Sequence, residues 1–185
     1  MRLEIEKKYR LTKKQQECVL RRLPEIGAKL QREEFEENTI YGGDALELGR
    51  CVLRLRRIGD TAILTYKERF PSASSIKHQR EDETRIENAE AMAAILDALG
   101  FTPVLVYEKR RATWRLAAAE VVIDELPFGL FMEIEGTEGD IRKIEQQLAI
   151  KGLRAEKATY PALALRHGKR YGSVVEARFE GDSRR

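Results

Sequence analysis

From residue 3 to residue 10, Leu3, Ile5 and Tyr9 fall on one parity and Glu4, Glu6, Lys8 and Arg10 on the other. Successive side chains of a strand point to opposite faces, so this period of two predicts a strand with one apolar and one charged face. Thr12 is placed to cap a helix running to about Leu23, where Pro24 and Gly27 stop it. Residues 28 to 41 read as extended, polar and glutamate-rich, leading into a turn at Tyr41-Gly42-Gly43. A hairpin follows, 52 to 57 and 61 to 68 about Gly59-Asp60, then a loop at 71 to 75 and a strand of alternating charge at 80 to 86. Asn88 caps an amphipathic helix with Met92, Ile95, Leu96 and Leu99 on one face, ended by Gly100. Further strands are predicted at 104 to 114, 120 to 124 and 130 to 135, with a turn at Pro127-Phe128-Gly129. Thr137 and Asp140 form a capping-box pattern for a helix with the stripe Ile141, Ile144 and Leu148, closed by Gly152.

Many antiparallel strands with a few helices make an α+β domain. The charged strand faces cannot all reach bulk water together, which points to a closed sheet with a polar interior and helices covering part of its outside. The length of 185 residues suits one domain, taken as residues 1–165. Residues 166–185 read as a charged C-terminal tail carrying Gly168, Gly172 and Gly181, with a mobile end.

Composition narrows the function classes. The chain is 42% apolar and 35% charged, yet its net charge is only +3, from 34 basic and 31 acidic residues. That balance argues against a nucleic-acid partner, so any strong field must be local. No apolar run of signal-peptide or membrane-spanning type is present, and the expectation is a cytoplasmic protein with no membrane partner. Cys18 and Cys51 lack metal-type spacing and are expected to be buried reduced thiols. His78 and His167 sit in polar, loop-like surroundings and receive no catalytic role.

The chemistry lies on the charged strand faces. Glu4/Glu6, Glu81/Glu83 and Glu133/Glu135 are pairs two residues apart, so each pair points one way, and Arg54/Arg56 and Lys109/Arg111 repeat the pattern with bases. With Lys67 on a further strand, these faces together hold the acids and bases needed to bind divalent cations and a polyanion side by side. A single such pair is ordinarily a solvated face, and the number of such segments argues otherwise. Parity turns Glu108 and Arg110 outward, places Tyr66 and Trp114 away from Lys67 and Arg111 as packing residues, and leaves Arg10 and Arg85 at a rim.

The run Glu4-Ile5-Glu6-Lys7-Lys8 fits an E-x-E-x-K signature. It is followed in order by LRLRR (53–57), LTYK (64–67), Glu81/Glu83, LGF (99–101), EKRR (108–111), VVID (121–124), GLFMEIEG (129–136) and Thr159-Tyr160. This order resembles the CYTH, or triphosphate tunnel metalloenzyme, superfamily over roughly residues 3 to 165, most closely its bacterial CyaB type. Two departures are the Lys67-Glu68-Arg69 run, where the family usually has Lys-Gly-Pro, and Thr159 in place of serine before Tyr160.

The resemblance implies a closed eight-stranded antiparallel β-barrel, a small-molecule triphosphate substrate and Mg2+ or Mn2+ as cofactor. Glu4, Glu6, Asp124, Glu133 and Glu135 match the family's metal positions, with Glu81 and Glu83 as second candidates on the substrate side. Lys8, Arg54, Arg56, Lys67, Lys109, Arg111 and Lys157 are the phosphate-binding candidates, and Glu4, Glu6, Lys8 and Arg56 the catalytic ones. Hydrolysis of an inorganic or organic triphosphate is the leading expectation, with cyclisation of ATP by a class IV adenylyl cyclase as the alternative and a non-catalytic triphosphate sensor third. By family analogy the chain is a monomer or a homodimer.

Overall fold

The computed structural model describes residues 2–47, 49–70 and 76–181, and the loop expected at 71 to 75 lies outside them. The first half of the chain forms β1 (Arg2–Leu11), α1 (Lys13–Glu25), β2 (Lys29–Gly42), β3 (Cys51–Ile58), β4 (Thr61–Arg69), β5 (Lys77–Ile86) and α2 (Ala89–Ala98). The second half forms β6 (Thr102–Leu116), β7 (Ala119–Leu126), β8 (Gly129–Glu135), α3 (Glu138–Leu148), β9 (Arg154–Ala155), α4 (Tyr160–His167), β10 (Lys169–Tyr171) and β11 (Val174–Ala177). Strands β6-β2-β3-β4-β5-β1-β8-β7 pair in that order, and β7 pairs back onto β6. The result is a closed antiparallel barrel, as the alternating charge predicts, and its eight strands are the number the family resemblance implies, with the helices outside it.

The barrel is inverted in its chemistry. Its largest apolar cluster lies on the outer face of β1, β7 and β8, where Tyr9, Val121, Ile123, Met132 and Ile134 meet Val19 and Leu23 of α1 and Ile141, Ile144 and Leu148 of α3. Both helices begin with the cap their sequences predict: Thr12 accepts from Gln15 N and Thr137 from Asp140 N, each in a capping box. A second apolar cluster sits between α2 and strands β3 and β4, around Leu53, Leu55 and Leu96. Only part of the apolar face expected of α2 is used there, since Leu96 is buried but Ile95 and Leu99 are exposed.

A third cluster fills one end of the barrel. Ile40, Leu105, Leu126 and Phe131 pack there against Tyr160 and Leu163 of α4. Tyr41 belongs to the α2 cluster and Trp114 packs beside the α1–α3 cluster, as their parity requires, whereas Tyr66 is half-buried on the outer face with Cys51 Sγ 3.2 Å from its hydroxyl. Cys18 and Cys51 are free but half-buried rather than buried.

The stretch read as a tail is largely ordered into the fold. Residue 166 lies inside α4, and β10 and β11 form a hairpin whose second strand runs parallel to β6. Arg178 then reaches Glu37 and Glu108 at 2.6 and 2.9 Å, and Phe179 N donates to Glu108 at 2.8 Å. His167, expected in polar surroundings, stacks on Phe128 with ring centroids 5.5 Å apart, and His78 lies on β5, 3.4 Å from Glu138. No helix among the described residues is long and apolar enough to cross a membrane.

Candidate active site

Because all eight barrel strands are antiparallel and in register, the inward parity of each is fixed by its neighbours. Asn38 faces both Arg56 and Tyr107, Glu36 faces Lys109, Arg54 faces Thr65, and Lys67 faces Glu81. On the far wall Glu4 faces Gln79, Glu6 faces Glu135, Lys8 faces Glu133, and Arg111 faces Asp124. The register therefore brings the charged faces of separate strands into one interior.

The cavity they line holds about 780 Å3 of empty space, its open mouth included. Among the described residues, eight cationic side chains line it, from Lys8, Arg50, Arg54, Arg56, Lys67, Arg69, Lys109 and Arg111, together with four carboxylates, from Glu4, Glu6, Glu133 and Glu135. Lys8 and Lys109 are each only 1% exposed, which is tolerable for an ammonium only with anionic partners close by.

The ion pairs divide into two groups. In one, Lys67 Nζ lies 2.8 Å from Glu4 and 3.1 Å from Glu81, and Gln79 Nε2 donates to the same Glu4 oxygen at 2.6 Å. In the other, Arg111 grips Asp124 with two bonds of 2.8 and 2.5 Å and reaches Glu133 at 2.9 Å. The Tyr160 hydroxyl donates to Asp124 Oδ2 at 2.8 Å, and Lys109 stands 3.6 Å from Oδ1. Burial lowers the Arg111 pKa, but Asp124, Glu36 and Glu133 outweigh it and hold the guanidinium charged.

At the centre of this second group is Glu36, fully buried. Its carboxylate lies 3.1 Å from Lys109 Nζ, 3.3 Å from Arg56 Nε and 3.7 Å from Arg111 Nε, and Asn38 Nδ2 donates to it at 3.4 Å. Burial alone would raise the Glu36 pKa, yet Lys109, then Arg56 and Arg111, hold it well below the usual carboxylate range. Lys109 shifts the other way: burial pushes it down to about 8, Arg111 adds repulsion, and Asp124 and Glu36 oppose both.

Most of the residues predicted for the site meet here. Glu4, Glu6, Lys8, Arg54, Arg56, Lys67, Lys109, Arg111, Glu133 and Glu135 line the one cavity, with Asp124 buried behind Arg111 and Glu81 against Lys67. Three expectations come out differently. Glu83 is exposed at the rim, where it accepts from Thr65 Oγ1 at 3.2 Å. Lys157 is exposed between β9 and α4 and is not among the lining residues. Asp124 has both oxygens engaged by Arg111, Lys109 and Tyr160, so its surroundings make it a partner of cations rather than an open metal ligand.

The rim positions behave as parity requires, Arg10 reaching back to Phe128 O at 3.0 Å and Arg85 being exposed. Sequence reasoning missed Glu36 and Asn38 on β2, where it assigned no face, as well as Gln79, Tyr107, Arg50 and Arg69. For Glu36 the signal lies outside β2, in its register with Lys109 and the proximity of Arg56.

The remaining donor set fits a hard divalent cation, since Glu4, Glu6, Glu133 and Glu135 offer carboxylate oxygens on one wall of the cavity. Among the described residues no three acidic, cysteine or histidine side chains form a ready-made cage. Such a set needs oxygens from a ligand to complete it, which is how magnesium commonly binds beside phosphates.

Comparison with known proteins agrees with this geometry. The model of the CYTH domain matches residues 2–160. No curated protein matches the chain at a significant level. Among solved structures, the PH1012 protein of Pyrococcus horikoshii OT3 superposes with a TM-score of 0.74 at 25% identity, covering 85% of this chain and 96% of that one. HpAC1 from Hippeastrum, an adenylyl cyclase candidate described as having a dominant triphosphatase activity, gives 0.68 at 20% identity over 92% and 98% of the two chains. An adenylate cyclase candidate from Vibrio parahaemolyticus gives 0.68 at 20% identity over 86% and 96%. The last two likenesses concern the fold alone. With the family model spanning nearly the whole barrel and the charged interior in place, the chain belongs to the CYTH domain family.

Proposed function

We propose that this protein is a divalent-metal-dependent enzyme that binds a triphosphate inside the barrel and hydrolyses it. The observation that carries this reading is the lining itself, which among the described residues sets eight cationic side chains around four carboxylates in one cavity. A polyanion satisfies the cations, and Mg2+ or Mn2+ reconciles the carboxylates with it.

Phosphoryl transfer is chiefly a matter of position and charge stabilisation. Arg54 and Arg56 on β3, Lys67 on β4 and Lys8 on β1 reach the cavity from different strands, so a bound phosphate chain would be held from several sides by groups fixed in a closed sheet. Arg111, oriented by Asp124, and Lys109 add charge from β6. Glu6 and Glu135, opposite each other on β1 and β8, with Glu4 and Glu133 beside them, would hold the ion. The ion supplies Lewis-acid charge to phosphate oxygens when bound. Among the described residues no serine, cysteine or histidine lines the cavity, which is consistent with direct attack by water rather than a covalent intermediate.

The test is a product assay on the purified protein with tripolyphosphate, ATP and thiamine triphosphate, with magnesium or manganese and with chelator. Metal-dependent release of phosphate is the expected result. Cyclic AMP with pyrophosphate from ATP would replace hydrolysis with cyclisation. Saturable triphosphate binding without turnover under any metal would replace the enzyme with a sensor.

A further inference from the structure

Glu36 and Asn38 on β2 are both fully buried, and neither is among the residues that line the barrel cavity. They hold a side chain that is. Arg56 lines the cavity from β3, and its Nε lies 3.3 Å from Asn38 Oδ1 and 3.3 Å from Glu36 Oε2. Asn38 Nδ2 closes the triangle by donating to the same Glu36 oxygen at 3.4 Å. The neighbours fix the sense of the amide, since a guanidinium Nε can only donate and an ionised carboxylate can only accept.

Strand order explains the arrangement. β2 lies between β3 and β6, so Asn38 faces Arg56 across one pairing and Tyr107 across the other, while Glu36 faces Lys109. The inward residues of β2 are thus shared by cations of both neighbouring strands, and those cations are anchored unequally. Arg111 is gripped by Asp124 and also reaches Glu133, and Lys109 has Asp124 as well as Glu36. Among the described residues, the hydrogen-bond and ion-pair partners of Arg56 are Asn38 and Glu36 alone, both reached through Nε. Burial and the neighbouring Arg54 lower the Arg56 pKa, and Glu36 opposes them.

We propose that Asn38 and Glu36 are positioning residues, which hold Arg56 by Nε so that its two terminal nitrogens are presented together to one phosphate group of the substrate. This rests on the triphosphate reading above and adds to it the part played by β2. An arginine side chain has several rotatable bonds, and one that is fixed in advance does not lose that freedom when the anion arrives. The forked geometry that suits phosphate oxygens is then preset rather than formed on binding. In this arrangement β2 does for Arg56 what Asp124 on β7 does for Arg111.

The experiment is a double-mutant cycle with magnesium and tripolyphosphate, using Asn38→Ala, Glu36→Gln and Arg56→Ala singly, and each β2 variant combined with Arg56→Ala. Both kcat/KM and calorimetric affinity are read, and the calorimetric stoichiometry counts the binding-competent molecules, so a partly unfolded sample does not imitate a lost contact. Asn38→Ala should lower kcat/KM about tenfold when Arg56 is present and less than about twofold when it is absent, because residues that act through one another are non-additive. Glu36→Gln keeps an acceptor and loses the charge. Only the part of its loss that runs through Arg56 should vanish in the Arg56→Ala background, since Glu36 also faces Lys109, and this variant carries the test if Asn38→Ala does not fold. Additive losses in both cycles, or a wild-type kcat/KM in Asn38→Ala, would overturn the assignment. If no triphosphate is turned over but the coupling to Arg56 persists in the affinities, the hydrolase reading falls and the positioning role stands. Absence of tripolyphosphate binding by the wild type would remove both.

Discussion

Along β8, Met132 and Ile134 face α1 and α3, while Glu133 and Glu135 face the cavity. Residues adjacent in the chain are thus nearly equally withdrawn from water but meet opposite chemistry, Ile134 fully buried in hydrocarbon and Glu133 8% exposed beside Arg111 and Lys8. The same division runs through β7, where Val121 and Ile123 pack outward and Asp124 turns in. In most barrels of this size side chains fill the interior. Here the largest apolar cluster is placed outside the sheet, beneath helices, and the third cluster is confined to one end of the barrel, which leaves the rest of the interior to hold charge. Parity on each strand therefore separates what keeps the barrel folded from what it can bind.

The sharpest way to break that division is Arg111→Ala. It leaves Asp124, fully buried, and Glu133 without the guanidinium that joins them, so both faces should suffer together. We expect a loss of about 3–5 kcal/mol in denaturant unfolding along with lost turnover. A stable variant would show that Lys109 and Tyr160 suffice for Asp124. Glu135→Gln and Ile134→Ala should then separate cleanly. The first should lower kcat/KM by about a hundredfold or more at nearly unchanged Tm, and the second should cost about 2–5 kcal/mol of stability while the folded fraction turns over normally. Equal effects on stability from the two substitutions would contradict the division by face.

Much of this was legible because charge alternates visibly on β1, β3, β5, β6 and β8, and a period of two assigns every residue of a strand once one face is known. Where both parities carry the same kind of residue, alternation is silent. On β2, Glu33, Glu34, Glu36 and Glu37 occupy both faces, and what turns Glu36 inward is its register with Lys109 and the proximity of Arg56, information held by other strands. Gln79 and Tyr107 carry no charge to betray an inward position, though Gln79 holds Glu4 at 2.6 Å. On α2 the apolar residues exceed what one face can bury, so the stripe including Ile95 and Leu99 was too wide. The β10–β11 hairpin has strands of three and four residues, too short for periodicity to show, and only Gly172 with its positive φ marks the turn.

That hairpin explains a second buried carboxylate that parity alone misjudges. Glu108 points out of the barrel as expected, yet it is 5% exposed because Arg178 and Phe179 close over it. Unlike Glu36, it meets no cavity residue, so Glu108→Gln should cost only about 1–3 kcal/mol in thermal or denaturant unfolding. Turnover per folded molecule should stay at the wild-type level. A large loss of activity in this variant would mean that the hairpin acts on the site through β6, and would blur the line between the two faces.

The smallest expected effect is a titration with opposite signs on binding and on folding. Folding lowers the Lys109 pKa from 10.5 to about 8, with burial the main cause, so the unfolded chain holds that proton more tightly than the native one. Between about pH 8 and 10.5 the unfolded state binds more protons, and the Lys109 contribution to stability therefore rises with pH. Over the same interval the cavity loses a positive charge, and affinity for tripolyphosphate should fall. Lys109→Arg, which stays charged throughout, should flatten the affinity profile above pH 8. Tripolyphosphate titrations at constant ionic strength from pH 7 to 10 would check this. If the two profiles coincide, Lys109 keeps its proton in the native barrel, and its pairing with Glu36 at 3.1 Å outweighs the repulsion from Arg111 and Arg56.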